Sequence, residues 1–348
     1  MDIGISLYLG TGLQKNLEII QKAKQAKVKY IFTSLHIPEE KVDDYPKQVQ
    51  TILAACQEND LQLLVDVSPK TLEKIGYHSF DELAKTSIRY LRLDSGFNHQ
   101  DIVNLSRQFN IVFNASTLTS KDMIALQKLG ADFSTFIACH NFYPKPLTAL
   151  SIEKVVKINR KLQYLGMRTM AFVAGDLTLR GPLKLGLPTI EKHRQGDVLE
   201  NILELYVSAE TDICMIGDID VQEKTWQQLQ DLSNGFVRLK ANILPSYDFI
   251  KNMIHHDRSD SSEYVIRSQE SRGYAAIGRK ITPMDVTNSR NKGSIFISNE
   301  LYERYSGEIE IARIDLPIEK KVNTIGEVID EYKQYLSYIC DGIGFILE

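Results

Sequence analysis

Arg92 and Asp94 stand two residues apart in YLRLD. The same spacing separates Asp66 from Ser68 in LQLLVDVS and Asn114 from Ser116 in IVFNAS. On an extended chain, residues two apart share a face. Neighbouring strands with these faces turned inward would gather a guanidinium, two carboxylates and an amide at one place. A core serving stability alone would carry Val, Ile and Leu there, because an unpaired buried charge is costly. The pattern therefore predicts a wet, liganded pocket. Other strand-like runs end in comparable groups: Ser6 and Tyr8; Ser34 and His36, with Glu39 and Glu40 just beyond; His140 and Asn141; Asp176; and Asp218.

Two longer stretches add to this set. GDLTLRGPLKLGLPTIEKHR, from Gly175 to Arg194, is interrupted by glycines and prolines and is rich in Leu. A loop of that length in a compact domain is usually functional when ordered, so an ordered lid is expected. Arg180, His193 and Arg194 suit an anionic ligand, arginine through paired hydrogen bonds to phosphate or carboxylate. Glu191 lies among them. In HNFYPKPLTALS, from His140 to Ser151, two prolines hold His140, Asn141 and Tyr143 on a stiff turn beside that lid. Such a trio offers the neutral donors and acceptors that sugar hydroxyls and amides need.

The elements that must position these residues alternate regularly. Strand-like runs begin at Ile3, Tyr30, Leu61, Tyr90, Ile111, Phe133, Met167 and Asp212. Helical patterns intervene, such as NLEIIQKAKQA and SKDMIALQKLG, the second with Ser120 as its expected N-cap. Eight such units fit a (β/α)8 barrel, whose usual size is about 250 residues. A doubly wound sheet is the rival, but YLGTGLQKN has Lys15 where a dinucleotide fingerprint needs its third glycine. After residue 238 the pattern changes. LKANILPSYDF reads as a connector. EYVIRS, AAIGR, SIFIS, EIEIARI and DGIGFIL then read as strands around one helix, TIGEVIDEYKQYLSYI. The expected organisation is an α/β TIM barrel over residues 1–238 and a small β-rich domain over residues 239–348.

Composition narrows the function class. The 348 residues are 43% hydrophobic and 25% charged, with a net charge of −4. A nucleic-acid partner would call for a basic stripe, and a membrane span for about 20 apolar residues in a row; neither is expected. MDIGISLYLG has no basic n-region and no cleavable apolar stretch. Cys56, Cys139, Cys214 and Cys340 show no paired spacing for a disulfide framework or a zinc site. A reducing cytoplasm is the expected setting.

The motifs IFTSLHIPEE, LRLDSGF, FNAST, HNFYPKP, RGPLKLGLPTIEKHR and RYSGEIEI span nearly the whole chain. Together they resemble glycoside hydrolase family 170, the bacterial 6-phospho-N-acetylmuramidases. The resemblance implies a TIM barrel joined to a cyclophilin-like domain. It also implies cytoplasmic cleavage of the β-1,4 bond between N-acetylmuramic acid 6-phosphate and N-acetylglucosamine during peptidoglycan recycling. Such a ligand carries a phosphate and a lactyl carboxylate, for which Arg92, Arg180 and Arg194 are natural counter-charges. Arg272 in the second domain is a further candidate. Ser34, His36, Asn114, His140, Asn141, Tyr143, Glu191 and Asp218 complete the expected substrate-binding set, with a structural role as the alternative for Asp218.

Glycoside cleavage usually employs two carboxyl groups, one of them an acid. The substrate's own acetamido group is the other possible nucleophile. Asp94, beside Arg92, is expected as nucleophile, base or acetamide orienter, and Glu39 or Asp66 as the acid. No metal or cofactor is expected, and the oligomeric state is left open. Two rivals stand: a non-catalytic sugar-phosphate sensor, and another phosphosugar barrel enzyme. An aldolase would want a Schiff-base lysine at a strand end, and the eight predicted ends carry none.

Overall fold

A computed structural model of the chain describes residues 1–34, 45–68, 71–86, 88–93, 96–273, 280–284 and 290–348. The chain divides into two compact units, Met1–Ser233 and Asn234–Glu348.

In the first unit, β1 (Asp2–Leu7), β2 (Tyr30–Ser34), β3 (Gln62–Val67), β4 (Tyr90–Leu93), β5 (Asn110–Asn114), β6 (Ile137–Cys139), β7 (Arg168–Val173) and β8 (Ile213–Ile216) close in sequence order into a barrel. All neighbours are parallel, and β1 meets β8 through Asp2↔Ile213 to Ile5↔Ile216. That closure makes this a TIM barrel rather than an open doubly wound sheet. Among the described residues the longer helices are α1 (Leu13–Gln25), α2 (Tyr45–Glu58), α3 (His99–Ser106), α4 (Ser120–Lys128), α5 (Ile152–Gln163) and α6 (Glu223–Ser233). No described helix is long and apolar enough to cross a membrane.

The period of two decides the interior. Tyr30 and Phe32, Ile137 and Cys139, Met170 and Phe172, and Ile213 and Met215 point inward with Leu64 and Val112 and form one packed cluster. Gly4 sits opposite Met215, whose Sδ would lie 2.1 Å from any Cβ placed there. Above this layer Phe142 packs edge-on to Phe32 and Phe172, with centroids 6.4 and 5.2 Å away. The next inward positions on several strands are polar, and they lie above that aromatic floor.

Local chemistry shifts some expected boundaries. α4 is capped by Thr119 rather than Ser120, because Asp122 completes a capping box with Thr119. β6 begins at Ile137, since the Asp132 carboxylate accepts the Ser134 N–H and turns Phe133–Thr135 into a 3-10 helix.

The second unit is β-rich. β10 (Ala241–Ile243), β15 (Val322–Val328), β13 (Ser294–Ser298), β14 (Ile309–Ala312) and β12 (Val265–Arg267) form one sheet in that order. β11 (Ile254–His256), β16 (Gly344–Leu347) and β9 (Phe236–Leu239) form another. The expected connector instead holds the end of β9, the strand β10 and the start of a 3-10 helix, Pro245–Ile250, and β9 pairs in parallel with β16. The expected helix over residues 324–339 is overturned in its first half. Val322, Ile325 and Val328 are buried at a helical spacing of three, but a register shift between Ile295 and Phe296 leaves Ile325 as an extra, bulged residue in β15. A bulge resets the period of two, so a strand can imitate helical spacing. The second half is a 3-10 helix, Asp330–Ser337. The expected AAIGR strand lies outside the described residues.

Candidate active site

Function in this architecture belongs where strands end and the βα loops begin. Parallel pairing places Ser34 level with Asp66, and Asp66 level with Arg92. Arg92 Nη1 donates to Asp66 Oδ2 at 3.0 Å and Nη2 donates to Asn141 Oδ1 at 2.5 Å. Ser34 Oγ donates to the same Asp66 oxygen at 3.5 Å. The Arg92 and Asp66 side chains are 17% and 14% exposed. The Arg92 Nε is buried without a hydrogen-bond partner among the described residues. Strands β2, β3, β4 and β6 thus deliver a hydroxyl, a carboxylate, a guanidinium and an amide to one spot. Asn114, at the end of β5, accepts the Ser116 N–H at 3.0 Å and shapes its own turn. His36, Glu39 and Asp94 lie outside the described residues.

Two loops zip together beside this cluster. Tyr143 N donates to Pro188 O, Leu150 N to Thr189 O, and Glu191 N to Leu150 O. The Thr189 hydroxyl donates to Asn141 O and accepts the Phe172 N–H, each at 2.9 Å. This threonine fixes the backbone of the residue that meets Arg92. Sequence reasoning passed over it, and over Phe142, because neither carries a charge or a distinctive spacing.

Several expected binding residues are engaged in the fold instead. His140, the residue after β6, is wholly buried, with Nε2 2.8 Å from Asn159 Oδ1. Asn159 in turn donates to Ala209 O and the Thr211 hydroxyl. Burial lowers the His140 pKa, which keeps the ring neutral. Arg194 binds Glu191 in a fork at 2.6 and 2.9 Å and donates to the carbonyls of Leu185, Gly186 and Lys145. The Arg194 hydrogen bonds pull the Glu191 carboxyl down to about 2. Glu191 also accepts the Ala149 N–H, so the pair is a clasp between the two loops. His193 is buried against Glu204 at 2.7 Å.

Asp218 is fully buried and accepts the N–H groups of Gly175, Arg180 and Leu187. Burial pushes its carboxyl up while those three donors pull against the shift. Asp176 caps α6 through Gln222 N and the Thr225 hydroxyl. Arg180 rests on the Tyr8 ring, its guanidinium carbon 4.3 Å from the centroid. Arg272, in the second unit, pairs with Glu308 at 3.1 Å. No group of three or more His, Cys, Asp or Glu side chains among the described residues is arranged to hold a metal.

The site can present positive charge and fixed polar groups to an anionic, hydroxyl-rich ligand above an aromatic floor. Comparison with known proteins agrees with that chemistry. A family model described as 6-phospho-N-acetylmuramidase, N-terminal, matches residues 3–231, and its C-terminal counterpart matches residues 207–348. A conserved Enterococcus faecalis protein of unknown function shares 31% identity, with a TM-score of 0.77 over 100% of this chain and 96% of that one. An uncharacterized B. cereus protein shares the fold at 23% identity, with a TM-score of 0.75 over 100% and 99% of the two chains. No curated protein is significantly similar.

Proposed function

The chain belongs to the 6-phospho-N-acetylmuramidase family and is a glycosidase, and from that premise we propose that it hydrolyses the β-1,4 bond of N-acetylmuramic acid 6-phosphate–N-acetylglucosamine in cytoplasmic peptidoglycan recycling. Water supplies the hydroxyl that ends on C1 of the muramic sugar, and the acid gives its proton to the departing O4. The observation that carries the reading is Arg92, held between Asp66 and Asn141 at the barrel mouth. A guanidinium sunk above an apolar floor is worth far more to an anionic ligand than one in open water.

Roles follow from the chemistry of the partners. Asp66 meets Arg92 as a charge-assisted acceptor. An acid must instead hold a proton ready for the leaving oxygen. This favours Glu39 as the acid, with Asp94 as nucleophile, base or acetamide orienter and Asp66 as the carboxylate that sets Arg92. The second unit, Asn234–Glu348, is the small cyclophilin-like domain of this reading.

The deciding experiment offers the purified protein the phosphorylated disaccharide and its unphosphorylated twin, with products followed by mass spectrometry. Cleavage confined to the phosphorylated sugar is expected. Tight binding of that sugar without products would mean a sensor. Equal cleavage of both would sink the role given to the arginines.

A further inference from the structure

TIM barrels frequently take a phosphate at the loops after their seventh and eighth strands, where backbone N–H groups converge on an anion. Here that convergence has a resident. The loop after β7 aims the N–H groups of Gly175, Arg180 and Leu187 at the Asp218 carboxylate, just beyond β8, at 2.9, 2.9 and 3.1 Å. Asp218 is 0% exposed. The close packing depends on absent side chains. A Cβ on Gly175 would lie 3.0 Å from Asp218 Cβ, one on Gly217 would lie 2.3 Å from Leu187 O, and one on Gly186 would lie 2.9 Å from Ala174 Cβ. Arg180 contributes one of the three N–H groups and lays its guanidinium on Tyr8. The Tyr8 hydroxyl is tied to Gly217 O at 2.5 Å, one residue before Asp218.

We propose that Asp218 is a positioning residue acting as an internal anion: its carboxylate fills the N–H nest between the β7 and β8 loops, bars the substrate's phosphate from it, and sets Arg180 on Tyr8 as the guanidinium that meets the phosphate instead. The last clause rests on the phosphosugar reading, while the nest itself can be tested without substrate. Both carboxylate oxygens are used. Oδ2 takes Gly175 and Leu187, and Oδ1 takes Arg180. An amide offers one acceptor, and its NH2 would oppose the remaining N–H.

The test replaces Asp218 with alanine and follows thermal unfolding of the full chain in sodium formate against sodium chloride. Formate is small enough to refill the nest. The expected result is a saturable rise in Tm for D218A, none for the wild type, and recovery of kcat/KM by about tenfold or more. A folded D218A that ignores formate, or a wild type that responds equally, overturns the proposal. If D218A folds in neither salt, D218N decides. It should raise KM for the phosphorylated disaccharide more than it lowers kcat, and a loss of kcat with KM unchanged overturns the proposal. R180Q should raise that KM in the same way, and a loss of kcat with KM unchanged would remove Arg180 from phosphate recognition. If the wild type cleaves neither sugar, the functional reading has failed and the formate shift still decides the nest.

Discussion

At both ends of the barrel an arginine meets an aspartate. At the floor, Arg168 donates to Asp2 at 2.6 Å and to the Tyr30 hydroxyl at 3.0 Å, and Lys29 adds a second cation to Asp2 at 3.3 Å. Burial works against the Asp2 charge, but Arg168 and Lys29 bring its pKa below the ordinary value. At the mouth, Arg92 binds Asp66 and Asn141 and keeps a buried Nε without a partner among the described residues. The floor pair is the more exposed, 39% and 26% against 17% and 14%. Solvent and extra partners complete the floor pair, so its value is stability. The mouth pair is deeper, and its buried Arg92 Nε lacks a hydrogen-bond partner among the described residues, an arrangement that costs stability unless a ligand repays it.

That contrast can be broken most sharply at Arg92. Arg92→Ala should lower kcat/KM for the phosphorylated disaccharide by about a hundredfold to a thousandfold, the usual result of removing one preorganised donor, while the Tm barely moves. A large fall in Tm with activity preserved would make the mouth pair equivalent to the floor pair. Asn159→Ala comes next. It strands buried His140 just outside the barrel wall and should destabilise by about 3 kcal/mol, read by denaturant unfolding, with the KM of the folded enzyme unchanged. Asp2→Asn should cost about 1 kcal/mol and leave kcat/KM alone; an activity loss there would end the distinction between the two ends.

The smallest effect is the pH dependence of the Glu191–Arg194 clasp. The folded pKa of Glu191 lies below its ordinary 4.5, at about 2. Its contribution is therefore fully present above about 4.5 and is lost as pH falls towards 2. The Tm advantage of the wild type over Glu191→Gln should shrink through that window in thermal scans, and a constant advantage would show that the clasp is not ionic.

The mouth cluster was legible because strand spacing is rigid. Parity and strand ends single out Arg92, Asp66 and Asn141, and the folded barrel brings them within hydrogen-bond reach. His140 was misplaced by one residue of the same logic: it adjoins Asn141, so it faces the opposite side and packs against Asn159. The sequence offers Arg194 and Glu191 as separate ligands for substrate. Three positions apart on a 3-10 turn, they found each other first.

What the sequence determined by itself was the repeat: eight apolar runs of period two, separated by helical patterns, which admit few closures other than a barrel, and the polar positions that follow each run. Tertiary structure decided which of those polar groups gather at the barrel mouth and which are engaged by the chain itself. Asp218 and Arg92 are both single charges at strand ends. One finds three backbone N–H groups folded around it, and the other finds Asp66 and Asn141 and keeps an Nε without a partner among the described residues. That difference depends on where a loop some 30 to 40 residues away in sequence returns its backbone. Period and spacing along one strand carry no record of it, because a buried charge takes whichever partners the closed fold places nearest.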